Sequence, residues 1–233
     1  MNQELFPQKC FVCGANKFEF QEILWKELIN EWELHQSEVD YINKQQGLKC
    51  SSCKSNLRSI TLAKSFLTAV NSNKTLNDYA KTIKSRRLNI LEVNEAGNLH
   101  RSLQNFKKLT FAEYHEVDLH DLPYSNEYFD FVIHSDTLEH IVNPIVALRQ
   151  IHRVLKNGGK TIFTTPIIIN RLTRSRSGLP KSYHGTSEID DAGMLVTYEY
   201  GADFWKYVAE AGFKDIRIIT EMYPAGIAFV CTK

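Results

Sequence analysis

Two Cys-x-x-Cys pairs, Cys10/Cys13 and Cys50/Cys53, stand 36 residues apart and constrain this chain more than any other feature. A Cys-x-x-Cys turn aims two thiolates at one point, and two such turns complete the tetrahedron that Zn²⁺ prefers. Gly14 directly follows the first pair, where a tight turn favours a residue free of Cβ strain. A redox Cys-x-x-Cys is the alternative, but two pairs in one short segment favour structural zinc. A closed four-cysteine site leaves no open coordination position, so it is expected to scaffold and not to catalyse. The spacer between the pairs holds an amphipathic helix, read as a packing element before a substrate surface. These features define a zinc-binding module over residues 1–58. Cys231, in the last apolar run, reads as a small core residue.

Paired cysteines that bind metal and form no disulfides point to a reducing compartment. The segment MNQELFPQKC has no apolar core of a signal peptide, and no apolar run reaches the ~20 residues of a membrane helix. The expected location is the cytoplasm, with no membrane partner. A formal net charge of +1 over 233 residues supplies no global field for polyanions, which argues against a nucleic-acid partner.

Past the second cysteine pair, LRSITLAKSFLTAV and LNDYAKTIKSRR read as connecting helices within residues 59–86. Alternating β and α patterns then fill residues 87–233. RLNILEVN and FDFVIHS (129–135) suit buried parallel strands, and KTIFTTP is another, closed by Pro166. Asn143 as N-cap, Pro144 at the first position, Leu148, Ile151 and Leu155 on one face, and Gly158 as the stop mark a helix. ADFWKYVAEAG reads as a helix, and FKDIRIIT and GIAFVCT as a closing antiparallel hairpin.

The segment VDLHDLPYSNEYFDFVIHSDTLEHIVNPIVALRQIHRVLKNGGKTIFTTP resembles class I S-adenosylmethionine (SAM) methyltransferases, from their adenine-binding acidic residue through the fourth helix. With its paired cysteines in front, the whole chain is similar to a bacterial subgroup of that family. The resemblance implies a Rossmann-like α/β sheet, mostly parallel with an antiparallel last strand, and SAM as cofactor. Carried over residue by residue, it implies that Glu92 faces the cofactor's positive end and that Asn94 to Gly97 curl past the methionine moiety. Glu113 would hold the ribose hydroxyls, Asp118 the adenine amino group, and Leu119 would cover the ring. His134 and Ser135 would line the methionine end.

Two departures from the family pattern stand out. Glu-Val-Asn-Glu-Ala-Gly keeps one glycine of the usual pair, and residues 113 to 118 are too close for the usual intervening helix. Asp136, Glu139 and His140, at i, i+3 and i+4, would share one face of a helix. They resemble the E-x-x-E-H of metal-assisted O-methyltransferases, which implies Mg²⁺ there, with His184 as a further ligand. The alternative is that Glu139 and His140 make structural hydrogen bonds. In the loop after the third strand, Arg171, Arg174, Arg176 and Lys181 could clasp a phosphate or carboxylate, or simply be solvated. Tyr183, His184 and His140 are the candidate catalytic residues, as general bases. The resemblance implies methyl transfer to a hydroxyl of a small molecule or glycan. An RNA methyltransferase and an inactive zinc-binding module on the same fold remain as alternatives.

Overall fold

A computed structural model describes residues 6–183 and 192–233. The front of the chain runs β1 (Phe18–Phe20), α1 (Lys26–Glu31), α2 (Gln36–Gly47) and β2 (Leu48–Cys50). Next come α3 (Leu57–Ala69) and α4 (Leu76–Ala80). The body continues with β3 (Ile90–Val93), α5 (His100–Leu103), β4 (Leu109–Ala112), β5 (Phe129–Ser135), α6 (Pro144–Val154) and β6 (Leu155–Thr164). Short strands β7 (Ile167–Ile168), β8 (Arg174–Ser175) and β9 (Tyr198–Gly201) lead to α7 (Trp205–Glu210), β10 (Asp215–Glu221) and β11 (Gly226–Thr232).

The main sheet has the order β10-β11-β6-β5-β3-β4. β3 lies parallel to β4 and β5, and β5 parallel to β6, whereas β11 is antiparallel to β6 and to β10. This is the mostly parallel Rossmann-like sheet with a closing hairpin that the sequence predicts. β5 is apolar on both sides because helices cover both faces. Val132 belongs to the core under α6 and α7, while Phe131 and Ile133 face α3. A bulge between Phe129 and Phe131 returns Phe129 to the core of Val132, breaking strict alternation. Cys231 is fully buried in that same core.

The helix signals hold at one end and shift at the other. The Asn143 side chain accepts from the Val146 amide at 3.3 Å and Pro144 occupies the first turn. The helix ends at Val154, and Leu155 already pairs with Phe129 as the first residue of β6. Gly158, at φ +76°, therefore turns inside that strand segment instead of stopping the helix. Between β4 and β5 the structure has neither helix nor strand, so the sheet ends at β4.

Residues 59–86 are more than a connection. α3 starts just after the second cysteine pair and packs across β11, β10 and β6. Cys10, Val12 and Cys50 share one core with Ile60, Phe66, Ile90 and Phe131. The front module and the body thus bury their apolar surfaces against each other. Among the described residues, no helix is long and apolar enough to cross a membrane.

Candidate active site

The four cysteine sulfurs lie within 4.8 Å of one another. The Cys10–Cys53 and Cys13–Cys50 separations are both 3.6 Å, close to the ~3.8 Å edge of a tetrahedral zinc–thiolate site. Two turns of the same design produce this. The Gly14 amide donates to the Cys10 carbonyl at 2.7 Å, and the Lys54 amide to the Cys50 carbonyl at 2.8 Å. Both turns close on positive φ, +86° at Gly14 and +61° at Lys54. The donor set fits zinc, and Cys10 and Cys50 are fully buried.

A cleft of about 1030 Å³ opens where β3, β4 and β5 end at their carboxyl sides. That is where open parallel sheets bind ligands. Its floor includes Asn94, Glu95, Glu113, Asp118, Ser135 and Asp136. Its roof comes from the front module: Leu24, Trp25, Leu28 and Trp32 around α1, and Ile42 and Gln46 on α2. The amphipathic segment read as plain packing therefore lines the cleft. Asn94 (φ +53°), His115 (φ +75°) and Asp136 (φ +46°) are non-glycine residues in the left-handed region, all on the cleft wall. Strained backbone of this kind is held only where surrounding contacts enforce it. Asn94 accepts from the Tyr114 amide at 2.8 Å, tying the end of β3 to the end of β4.

The residues expected at a cofactor separate into two groups. Asn94, Glu113, Asp118, Leu119 and Ser135 line the cleft. The Asp118 carboxylate accepts from the His120 amide at 2.8 Å, and this bond holds its pKa below the usual value. Glu92 is fully buried and braces the loop from beneath, accepting from the Ala96 amide at 3.0 Å and contacting His100 Nδ1 at 2.8 Å. Burial, the largest influence on Glu92, raises its pKa. Gly97 turns the loop at φ +55°, and a Cβ there would lie 3.2 Å from Arg58 Nη2 and Ser59 Oγ.

His134 departs from expectation. It is fully buried, lies outside the cleft wall, and stacks on Phe163 at a centroid distance of 4.6 Å. Neither ring nitrogen has a hydrogen-bond partner among the described residues, and burial lowers its pKa to about 3. Strand alternation turns it inward from a position where its neighbour Ser135 faces the cleft. Below pH 6.5 the unfolded chain takes up a proton that folded His134 refuses down to about 3. Its contribution to stability therefore falls as pH drops through that window, by ~1.4 kcal/mol per unit. His134→Phe is expected to flatten this limb while keeping the stack, as urea midpoints at pH 7.5 and 5.0 would show.

The D-x-x-E-H residues do not converge as metal ligands. Leu138–His140 form a single 3₁₀ turn, not the helix that would have aligned them. Asp136 pairs with Arg58 and accepts from Thr164 Oγ1 at 3.0 Å and Gln46 Nε2 at 3.3 Å. The buried Glu139 takes a 3.4 Å contact from Thr165 Oγ1, and burial raises its pKa well above the usual range. His140 lines the cleft with Nδ1 3.0 Å from the Leu195 carbonyl, and burial lowers its pKa. Among the described residues, only the four cysteines gather as a candidate metal site.

The arginine loop does not form an anion clasp either. Arg171 pairs with Glu38 at 2.8 Å and donates to the Trp32 and Glu33 carbonyls. Arg174 reaches Glu199 at 2.6 Å. Arg176 pairs with Glu199, reaches Glu31 at 3.2 Å, and sits over the Trp32 ring at 5.4 Å. Arg171 and Arg176 fasten the roof to the body, and Arg174 is neutralised by Glu199 within the body. Lys181 is exposed. Tyr183 forms a backbone bridge with Leu195 and does not line the cleft, and His184 lies outside the described residues. Arg58, Gln46 and the two roof tryptophans were missed by sequence reasoning. Two tryptophans concentrated in the front module were the available signal.

Comparison with known proteins gives partial matches to methyltransferases. Residues 78–163 match a family described as a methyltransferase domain. Over 138 residues the chain is 25% identical to the chloroplast 2-methyl-6-phytyl-1,4-hydroquinone methyltransferase of Arabidopsis thaliana, covering 59% of this chain. It spans only 36% of that relative's length. Among solved structures, the DszA carbon methyltransferase aligns with a TM-score of 0.47 and 14% identity, over 79% of this chain and 55% of that one. A SAM-dependent methyltransferase of Mesorhizobium loti aligns with a TM-score of 0.42 and 13% identity, over 66% and 94%.

Proposed function

We propose, on the premise that residues 78–163 belong to the methyltransferase-domain family, that the chain transfers a methyl group from SAM to a small acceptor with an apolar body. The observation that carries this reading is the cleft itself: polar and acidic on the β3–β5 floor, apolar and aromatic on the roof. SAM, when bound, supplies an electrophilic methyl on a cationic sulfonium. Glu113, just after β4, would hold the ribose diol and Asp118 the adenine amino group; both line the cleft. Leu28, Trp25 and Ile42 would exclude water from the acceptor and fix its approach, and positioning of this kind accounts for much of such catalysis.

A hydroxyl acceptor fits His140. Its Nδ1 lies 3.0 Å from the Leu195 carbonyl and its Nε2 3.7 Å from Glu139 Oε1, and burial favours the neutral ring. SAM would supply the methyl, and His140, on the cleft wall, would take up the proton that the acceptor hydroxyl gives up. The reading that the four cysteines hold a structural zinc belongs to the same proposal.

Calorimetry with SAM and S-adenosylhomocysteine tests the first half. Both are expected to bind to the purified protein, and silence with both ligands would refute an enzyme. Labelled SAM supplied with phenolic and isoprenoid acceptors, and separately with sugars, tests the second. Label appearing only in the sugars would overturn the apolar acceptor.

A further inference from the structure

We infer that the segment following the second cysteine pair completes the cofactor site, with Arg58 and Asp136 together receiving the zwitterionic amino-acid end of SAM. This rests on the proposed methyltransferase reading and adds to it a charged receptor supplied by the front module. Arg58 and Asp136 form an ion pair on the cleft wall, beside Asn94, Glu95 and Ser135. Asp136 is held in place by Thr164 and Gln46, and its own backbone is strained at φ +46°.

Three observations indicate that this pair awaits a ligand. Among the described residues Arg58 Nε is buried with no hydrogen-bond partner, and so is the hydroxyl of Ser59, a residue with no exposed surface. Both side chains crowd the face of Gly97, within 3.2 Å of where its Cβ would stand, at the loop expected to pass the methionine moiety. That loop keeps a single glycine, so its backbone offers less to a carboxylate than a two-glycine turn would. Asn98 Nδ2 donates to the Lys54 carbonyl, and Asn56 caps α3 by accepting from the Ser59 amide at 3.0 Å. The knuckle thus sets both the loop and Arg58.

An α-amino acid carries one carboxylate and one ammonium on adjacent bonds. Arg58 beside Asp136 is the matching pair in opposite sign, and a guanidinium fork suits a carboxylate in two-point contact. In the free protein the two side chains neutralise each other, which avoids an unpaired charge in a largely enclosed wall. Entry of the zwitterion exchanges that one contact for two, Arg58 to carboxylate and Asp136 to ammonium.

The experiment compares S-adenosylhomocysteine with 5′-methylthioadenosine, which keeps the nucleoside and thioether and lacks the amino-acid end. Calorimetry on the zinc-loaded chain is expected to give much tighter binding of S-adenosylhomocysteine. Arg58→Met should weaken S-adenosylhomocysteine roughly 10- to 100-fold while leaving methylthioadenosine within about 2-fold. Asp136→Asn serves as the second variant and should show the same selective loss. Equal weakening of both ligands, or unchanged S-adenosylhomocysteine binding, overturns the receptor. Failure of the wild-type chain to bind either ligand would instead remove the methyltransferase reading on which it stands.

Discussion

Cys50→Ser is expected to abolish zinc binding at the proposed four-cysteine site and to destabilise the whole chain by at least about 5 kcal/mol, because metal binding at such sites is largely folding free energy. The loss should not stay local. Cys50 is fully buried in the core that also holds Ile60, Phe66 and Phe131, and α3 leaves the second knuckle to cover the sheet. Metal analysis together with thermal unfolding checks this. Cys231→Ala is the control: it lies in the opposite core, so it should keep zinc and cost only what a small cavity costs, roughly 1 kcal/mol. Full stability of Cys50→Ser without zinc would remove the metal from the account.

The second large effect is expected at Glu199. Its side chain is 3% exposed and that of Arg176 5%, and Arg174 also converges on the same carboxylate. Glu199→Ala leaves Arg176 buried without its main counter-charge, a change that costs ~3–5 kcal/mol. Replacing both partners with apolar residues, Arg176→Met with Glu199→Leu, should recover most of that loss, since the isolated charge and not the missing attraction dominates. Urea unfolding of the single and double variants measures the difference. A double variant no more stable than Glu199→Ala would show that the pair acts through geometry instead.

The parts of the fold visible in the sequence are those whose cause is local. β5 and α6 follow from apolar periodicity and from Asn143-Pro144, and the closing hairpin from two apolar runs at the end of the chain. The cysteine knuckles are equally local, since each is one turn. The cleft is not. Its roof depends on Glu31 and Glu38 meeting arginines 145 and 133 residues away, a complementarity that no short window contains. The arginines were therefore visible only as charge, and charge beside an expected pocket suggested an anion clasp. Likewise, spacing places Asp136, Glu139 and His140 on one face only if the segment is helical, and the single 3₁₀ turn leaves Asp136 on Arg58 and Thr164 while Glu139 and His140 stay 3.7 Å apart. His134 shows the opposite limit: a residue type suited to chemistry, turned by strand alternation into the core.

The fastening of the roof has a consequence for how the chain acquires its shape during synthesis. The knuckles close within the first 53 residues, so metal capture can occur while most of the chain is still unmade. The bonds that seat the roof come far later: Trp32 Nε1 donates to Ser182 Oγ across 150 residues. Contacts so distant along the chain are slow to form. The apolar side of the α1 region, with Leu28 and Trp32, would therefore stay uncovered on the nascent chain until Ile168 and Val196 emerge. Acidic positions flanking that surface, Glu27, Glu31 and Glu33, then have a use before Glu31 meets Arg176 in the finished fold. They keep a sticky surface in water during the interval before the arginines arrive.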